Sequence, residues 1–150
     1  MIKSILEALK RFFTTTAVGN LKVSLEETSI KQPVDVADHY HESVVISPSG
    51  AKTASGNTAD VDVGRFLHGK FCLDVTAVSG TTPTLDVYIE GKYQYSGKYE
   101  TIWSQTGINA VGTFTSPIIS PLVFKYIRAR WVIGGTSPSF TFSIELEAKS

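Results

Sequence analysis

The sequence feature that most constrains the fold is an alternation of apolar and polar residues on both sides of a short break within residues 71–90. The apolar residues in alternate positions are Val75, Ala77, Leu85, Val87 and Ile89. A period of two places these side chains on one face of a β-sheet. The break, Ser-Gly-Thr-Thr-Pro at residues 79–83, contains a glycine and a proline, which favour a turn. The pattern therefore predicts two strands and a short loop, a β-hairpin.

The same pattern returns 55 positions later, where residues 133–145 align with residues 78–90. Both copies contain Gly-Thr-(Thr or Ser)-Pro-(Thr or Ser), followed by an apolar residue at every second position. A chain that uses one pattern twice can pair or face the two copies within a single β-structure. The alternative is that Gly-Thr-Ser-Pro is good loop chemistry that occurs twice.

Short strand-like segments separated by Gly, Pro and Ser recur through residues 56–150. This organisation predicts an all-β domain, a β-sandwich with jelly-roll-like topology. Both faces of the segment 122–133 carry apolar residues, so the alternation does not decide which face is buried. The predicted core residues are Val75, Leu85, Val87, Ile89, Phe140, Phe142 and Ile144.

Residues 1–55 are predicted to form a separate N-terminal region, an amphipathic helix over residues 2–13 followed by an extended arm. Such a short helix is marginal alone in water and needs a docking surface. Residues 14–55 fit an arm that contacts a partner equally well as a set of short strands in an irregular sheet. The predicted partner-contacting residues are Ile2, Ile5, Leu6, Leu9, Phe12, Phe13, Leu21, Val23, Leu25, Val44 and Ile46.

The charge balance argues against nucleic-acid binding, because 14 basic and 14 acidic residues leave no excess positive charge. No segment approaches the ~20 apolar residues of a membrane span, and the start of the chain is a poor secretory signal. We therefore expect synthesis in a cytoplasm and no membrane partner. Cys72 lies between Phe71 and Leu73, which predicts a small buried side chain.

His39 and His41 flank Tyr40 and would point the same way in a strand. Two imidazoles can bind a transition metal, and a symmetric trimer would bring six nitrogens to its axis. A structural zinc site needs four ligands, however, so solvated histidines are the simpler interpretation. No metal or other cofactor is predicted.

No sequence motif supports catalysis, since nucleophile, zinc-protease and phosphate-loop signatures are absent from the sequence. The strand carboxylates alternate with apolar residues and are predicted to face solvent: Asp60, Asp62, Asp74 and Asp86. We therefore expect a protein that is not an enzyme.

Aromatic residues cluster around one predicted loop, and they are Tyr88, Tyr93, Tyr95, Tyr99 and Trp103. They are compatible with a sugar-stacking surface, with anchors between subunits, or with ordinary packing on a sheet face.

Several of these segments together carry a family resemblance: Gly-Arg-Phe at 64–66, the stretch 73–87, Tyr-Ile-Arg at 126–128 and the stretch 134–140. Across residues 58–149 the chain resembles small virion proteins of tailed bacteriophages, and among these the head decoration (cement) proteins. The resemblance implies a β-sandwich homotrimer that binds the major capsid protein on the outside of the capsid and stabilises the shell. Two other functions stay open: a head–tail, tail or baseplate component, and a carbohydrate-binding module of a phage fibre.

Overall fold

The computed structural model describes residues 40–150, and within this range it contains strands and no helix. The strands are β1 (His41–Lys52), β2 (Gly56–Asn57), β3 (Val61–Asp62), β4 (His68–Lys92), β5 (Tyr99–Ile108), β6 (Gly112–Thr115) and β7 (Tyr126–Lys149). The predicted helix over residues 2–13 and the arm up to residue 39 lie outside the described residues. In the described range, no helix is long and apolar enough to cross a bilayer.

The two longest strands, β4 and β7, pair antiparallel from end to end and form the ribbon around which the domain is built. Residues 71–90, which the alternation assigned to a hairpin, instead lie within the single strand β4. The prediction of a hairpin was wrong because alternation reports which face a residue occupies. The alternation looks the same whether the break between the two stretches reverses the chain or only bends it.

The break within β4 is a bend, and it lies opposite an equivalent bend in β7. Gly80 and Gly135 have φ values of 114° and 111°, and Thr82 and Ser137 both have φ of 48°. The ladder is irregular here, with Thr81 opposite Thr136. The two copies of the repeat therefore pair with each other, which is one of the two arrangements expected if the chain uses one pattern twice. We call residues 79–84 and 134–139 the twin bend.

The twin bend folds the ribbon over so that its two halves face each other. Trp103 on β5 pairs with Ile89, near one end of β4, yet its ring stacks on Phe71 near the other end. The ring centroids are 6.3 Å apart with an interplanar angle of 8°. In a straight strand at about 3.3 Å per residue, Phe71 and Ile89 would be about 60 Å apart. The domain is thus a two-layer β-sandwich.

Each layer contains one half of the ribbon and its neighbouring strands. In the first layer, the first half of β4 pairs with the second half of β7. Strand β1 pairs with this half of β7, and β6 pairs with this half of β4. In the second layer, β5 flanks the end of β4, while β2 and β3 pair with the start of β7. Both layers contribute to one core.

All of the predicted core residues are buried, at 2% exposure or less. The structure also decides the open question in residues 122–133, because Ile127 and Ala129 face the core while Arg128 and Arg130 lie on the outer face. The prediction for Cys72 was wrong. It is only partly buried, because it alternates with Phe71 and Leu73 and so points to the outer face.

Strand β1 belongs to this sandwich although its residues were assigned to the arm. It pairs with the end of β7, and two register shifts let the ladder pass Pro48 on this edge strand. Ile46, at 3% exposure, is a core residue, and Val44 packs against the core. These two predicted partner-contacting residues are therefore used inside the domain, which begins at Tyr40.

Candidate binding groove

An open groove lies at the end of the sandwich where β4 ends and β7 begins. It consists of two adjoining depressions of about 630 Å³ and 390 Å³, which share residues 123–125 as a common ridge. Asp62, Gly64, Arg65 and Leu122 complete the larger depression. Lys92, Tyr93, Gln94 and Glu100 complete the smaller one.

The ridge is held in place by Phe124, whose ring lies directly on the backbone of Gly91. A Cβ atom at Gly91 would fall far inside van der Waals distance of the ring. Val63 and Leu122 fix the backbone around it, through hydrogen bonds of 2.8 Å from their N–H groups to Lys125 O and Leu67 O. Val123, next to Phe124, is 71% exposed at the top of the ridge.

Tyr93 forms the aromatic wall of the smaller depression. Its ring meets Phe124 edge to face, with centroids 5.3 Å apart, and it remains 47% exposed. The tight turn after β4 positions it, since Tyr93 N–H donates to Lys98 O and Gly97 N–H donates to Tyr93 O, both at 2.8 Å. Its phenol donates to Glu100, and this hydrogen bond raises the pKa of Tyr93.

The charged side chains of the groove have partners within the protein. Lys92 Nζ lies 2.6 Å from Asp60, Lys125 Nζ lies 3.9 Å from Asp62, and Arg65 pairs with Glu42. The hydrogen bond between Lys92 and Asp60 lowers the pKa of Asp60 and raises that of Lys92. The groove therefore has donors and acceptors side by side, without a large excess of either charge.

Beside the groove, the outer face of the second layer carries a network around Glu90, which is only 6% exposed. Arg128 Nε and Arg130 Nε donate to its two oxygens at 2.9 and 2.7 Å. The guanidinium of Arg128 lies 3.5 Å from the ring centroid of Tyr99, and that of Arg130 lies 4.1 Å from Tyr88. Burial favours the protonated form of Glu90, but the two arginines outweigh it and lower its pKa.

The structure separates the aromatic residues that the sequence placed around one loop. Trp103 faces the core, while Tyr88 and Tyr99 lie under the arginines. Tyr93 lines the groove and Tyr95, two residues later, is fully exposed without lining it. The sequence did not reveal Val123 and Phe124 as groove residues, because both continue the apolar pattern of residues 122–133. They lie in a segment read as strand, whereas β7 starts only at Tyr126.

The described residues contain no group of three or more metal-ligating side chains. His41 lies exposed at the start of β1, and His39 is outside the described residues. His68 Nδ1 lies 2.7 Å from Ser120 Oγ, but no described carboxylate makes a hydrogen bond to this histidine. Of the predicted strand carboxylates, Asp62, Asp74 and Asp86 lie on strands, whereas Asp60 lies in the loop between β2 and β3. Asp86 accepts from Gly107 N–H at 2.7 Å and Asp74 from Thr113 at 2.8 Å.

No protein-family model and no curated protein sequence matches the chain. Solved structures do match. The SPBc2 prophage-derived protein YomS has 7% sequence identity and a TM-score of 0.50, over 75% of this chain and 96% of that protein. This similarity shows the fold, an all-β architecture shared with a protein of prophage origin.

Two further solved structures match less well. The PBSX exported protein XepA has 15% identity and a TM-score of 0.48, over 71% of this chain and 36% of that protein. The family 22 carbohydrate binding module of Clostridium thermocellum Xyn10B has 16% identity and a TM-score of 0.47, over 75% and 82%.

Proposed function

We propose that the chain is a structural protein of a phage particle, which binds the outside of the capsid as a homotrimer and stabilises the shell. The observation that carries the proposal is the shared fold with a prophage-derived protein along nearly all of that protein's length. The sequence resemblance to head decoration proteins points to the same role. The partner is the major capsid protein, the location is the capsid surface, and the role is not catalytic.

The proposal assigns attachment to residues 1–39. The helix predicted over residues 2–13 would need a surface to cover its apolar side, and strand β1 is already used in the sandwich. Several weak contacts along such a segment would dissociate only together, which strengthens attachment without a large interface.

The test is a variant that begins at Tyr40, compared with the full chain on capsids of the encoding phage assembled without this protein. We expect the variant to keep the thermal midpoint of the sandwich and to lose capsid binding. A start near Ala51 would be unsuitable, because it removes Ile46 from the core. Capsid binding that equals that of the full chain would exclude residues 1–39 as the attachment segment.

A matched pair of variants refines this test. Replacing Leu6 and Leu9 by serine changes the apolar stripe, whereas replacing Lys3 and Lys10 by alanine changes the polar side. Only the first should weaken capsid binding. Mass measurement of the free protein tests the trimer, and antibody labelling of intact particles distinguishes the capsid surface from a position in the tail or baseplate.

A further inference from the structure

The groove described above has the features of a preformed ligand site. Phe124 is wedged on Gly91, and backbone hydrogen bonds hold both the ridge and the turn that carries Tyr93. Side chains that are already fixed lose little conformational entropy when a ligand binds. The exposed large apolar side chains of the groove are those of Tyr93 and Val123.

The charges in the groove favour an uncharged ligand. Lys92, Lys125 and Arg65 each have a carboxylate partner in the same domain. An anionic ligand would have to compete with those carboxylates, and a cationic one with the basic groups. A ligand with hydroxyl groups would not, since a hydroxyl both donates and accepts hydrogen bonds.

The walls of the groove also distinguish a glycan from a peptide. An extended peptide gains most of its main-chain hydrogen bonds by adding to a free strand edge. Here most of the lining comes from a turn at residues 93–98 and loops at residues 63–67 and 122–125, and only Asp62, Lys92 and Glu100 lie on strands. The walls offer an aromatic face and polar side chains, a combination that fits a ring with one apolar face and a rim of hydroxyls.

We infer that this groove binds an uncharged carbohydrate, with the ring of Tyr93 as the stacking surface and Asp62, Glu100 and Lys125 as hydrogen-bonding groups. This activity is additional to capsid attachment, which the proposed function assigns to residues 1–39. A particle protein with both properties would attach to the capsid and also bind a glycan.

The test is a glycan array probed with the full-length protein, followed by affinity electrophoresis in the polysaccharides that bind. The array includes uncharged β-glucan, xylan, mannan and N-acetylglucosamine oligomers together with anionic glycans. Tyr93→Ala removes the stacking ring and should lower affinity about tenfold. Tyr93→Phe keeps the ring and should retain most of the affinity.

Tyr95→Ala is the matched control, because Tyr95 lies on the same turn, is fully exposed and does not line the groove. It should bind as the unchanged protein does. Binding should also change little between low and high salt, since an uncharged ligand forms no ion pairs.

Three outcomes of the glycan experiments would overturn the inference. The first is that the protein binds no uncharged glycan on the array. The second is that Tyr93→Ala and Tyr95→Ala lower the affinity equally. The third is that the protein binds only anionic glycans and that high salt abolishes this binding. If Tyr93→Ala instead impairs only capsid binding, the groove contacts protein. That result contradicts the glycan site and leaves the proposed capsid function intact.

Discussion

At the scale of single residues, the groove depends on the absence of a side chain at Gly91. The ring of Phe124 occupies the space that a Cβ atom would need. This explains why a glycine stands on the core face of β4, after Leu85, Val87 and Ile89. A glycine weakens the interior of a strand, but at this position it leaves room for Phe124, which lies on a loop distant in the sequence.

Gly91→Ala should therefore displace Phe124 and lower the free energy of unfolding by about 1–3 kcal/mol, the usual effect of overpacking. Urea unfolding measures this. Gly50→Ala is the control, because a Cβ atom at Gly50 would meet only the Lys52 amino group, at ordinary contact distance. If both variants are equally stable, Phe124 is not held by Gly91.

The charge of Glu90 should contribute to stability, because this carboxylate is buried between two arginines. Glu90→Gln leaves both guanidinium groups without their carboxylate. Since Arg128 and Arg130 keep partial access to water, we expect a loss of about 2–3 kcal/mol at neutral pH.

The pH dependence follows from the lowered pKa of Glu90, whose ordinary value is 4.5. A carboxylate with a depressed folded-state pKa stabilises the protein fully above its unfolded value. That contribution disappears as the pH falls through the folded value. The difference between the unchanged protein and Glu90→Gln should thus shrink below about pH 4.5, and a constant difference in acid would contradict the assignment.

At the scale of elements, the sequence predicted the faces of the core strands correctly except at Cys72, and it predicted the connection at residues 79–83 incorrectly. Every predicted core residue is buried because alternation and apolar character together determine which side of a strand packs inward. Whether residues 79–83 reverse the chain or bend it depends on pairing with residues 134–139. The pattern of residues 71–90 by itself contains no information about this pairing. The groove was unpredictable for the same reason, since its walls come from three separate loops.

The twin bend can be tested through its glycines. At Gly135 a Cβ atom would lie 2.7 Å from Thr82 O and 2.9 Å from Thr81 O, and φ is 111°. Gly135→Ala should cost at least about 2 kcal/mol through strain and overlap.

Gly97→Ala is the matched comparison, because Gly97 also has a positive φ, 67°, but has open space around it. It should cost about 1 kcal/mol. Thermal or urea unfolding of both variants measures the difference. A Gly97 variant that is the less stable of the two would show that close packing at the bend is unimportant.

At the scale of the whole molecule, the sandwich is held together by side chains that contact across its layers. Phe142 on the first layer meets Trp131 on the second, with centroids 5.7 Å apart, and Lys52 Nζ lies 4.2 Å from the Phe142 ring. Phe142→Ala should reduce the free energy of unfolding by about 3–5 kcal/mol, through lost burial and a cavity. A thermal midpoint that does not change would contradict this role.

The ribbon also determines how fast the chain can fold. Even the shortest connection between paired residues of β4 and β7 runs from Lys92 to Tyr126, and the bend pairs Ser79 with Ser139. Each such contact requires closure of a long loop, whose entropic cost precedes any gain from packing. Refolding should therefore take milliseconds to seconds, as in other domains dominated by non-local pairing. Stopped-flow refolding from urea measures the rate, and microsecond folding would mean that local structure forms before the ribbon does.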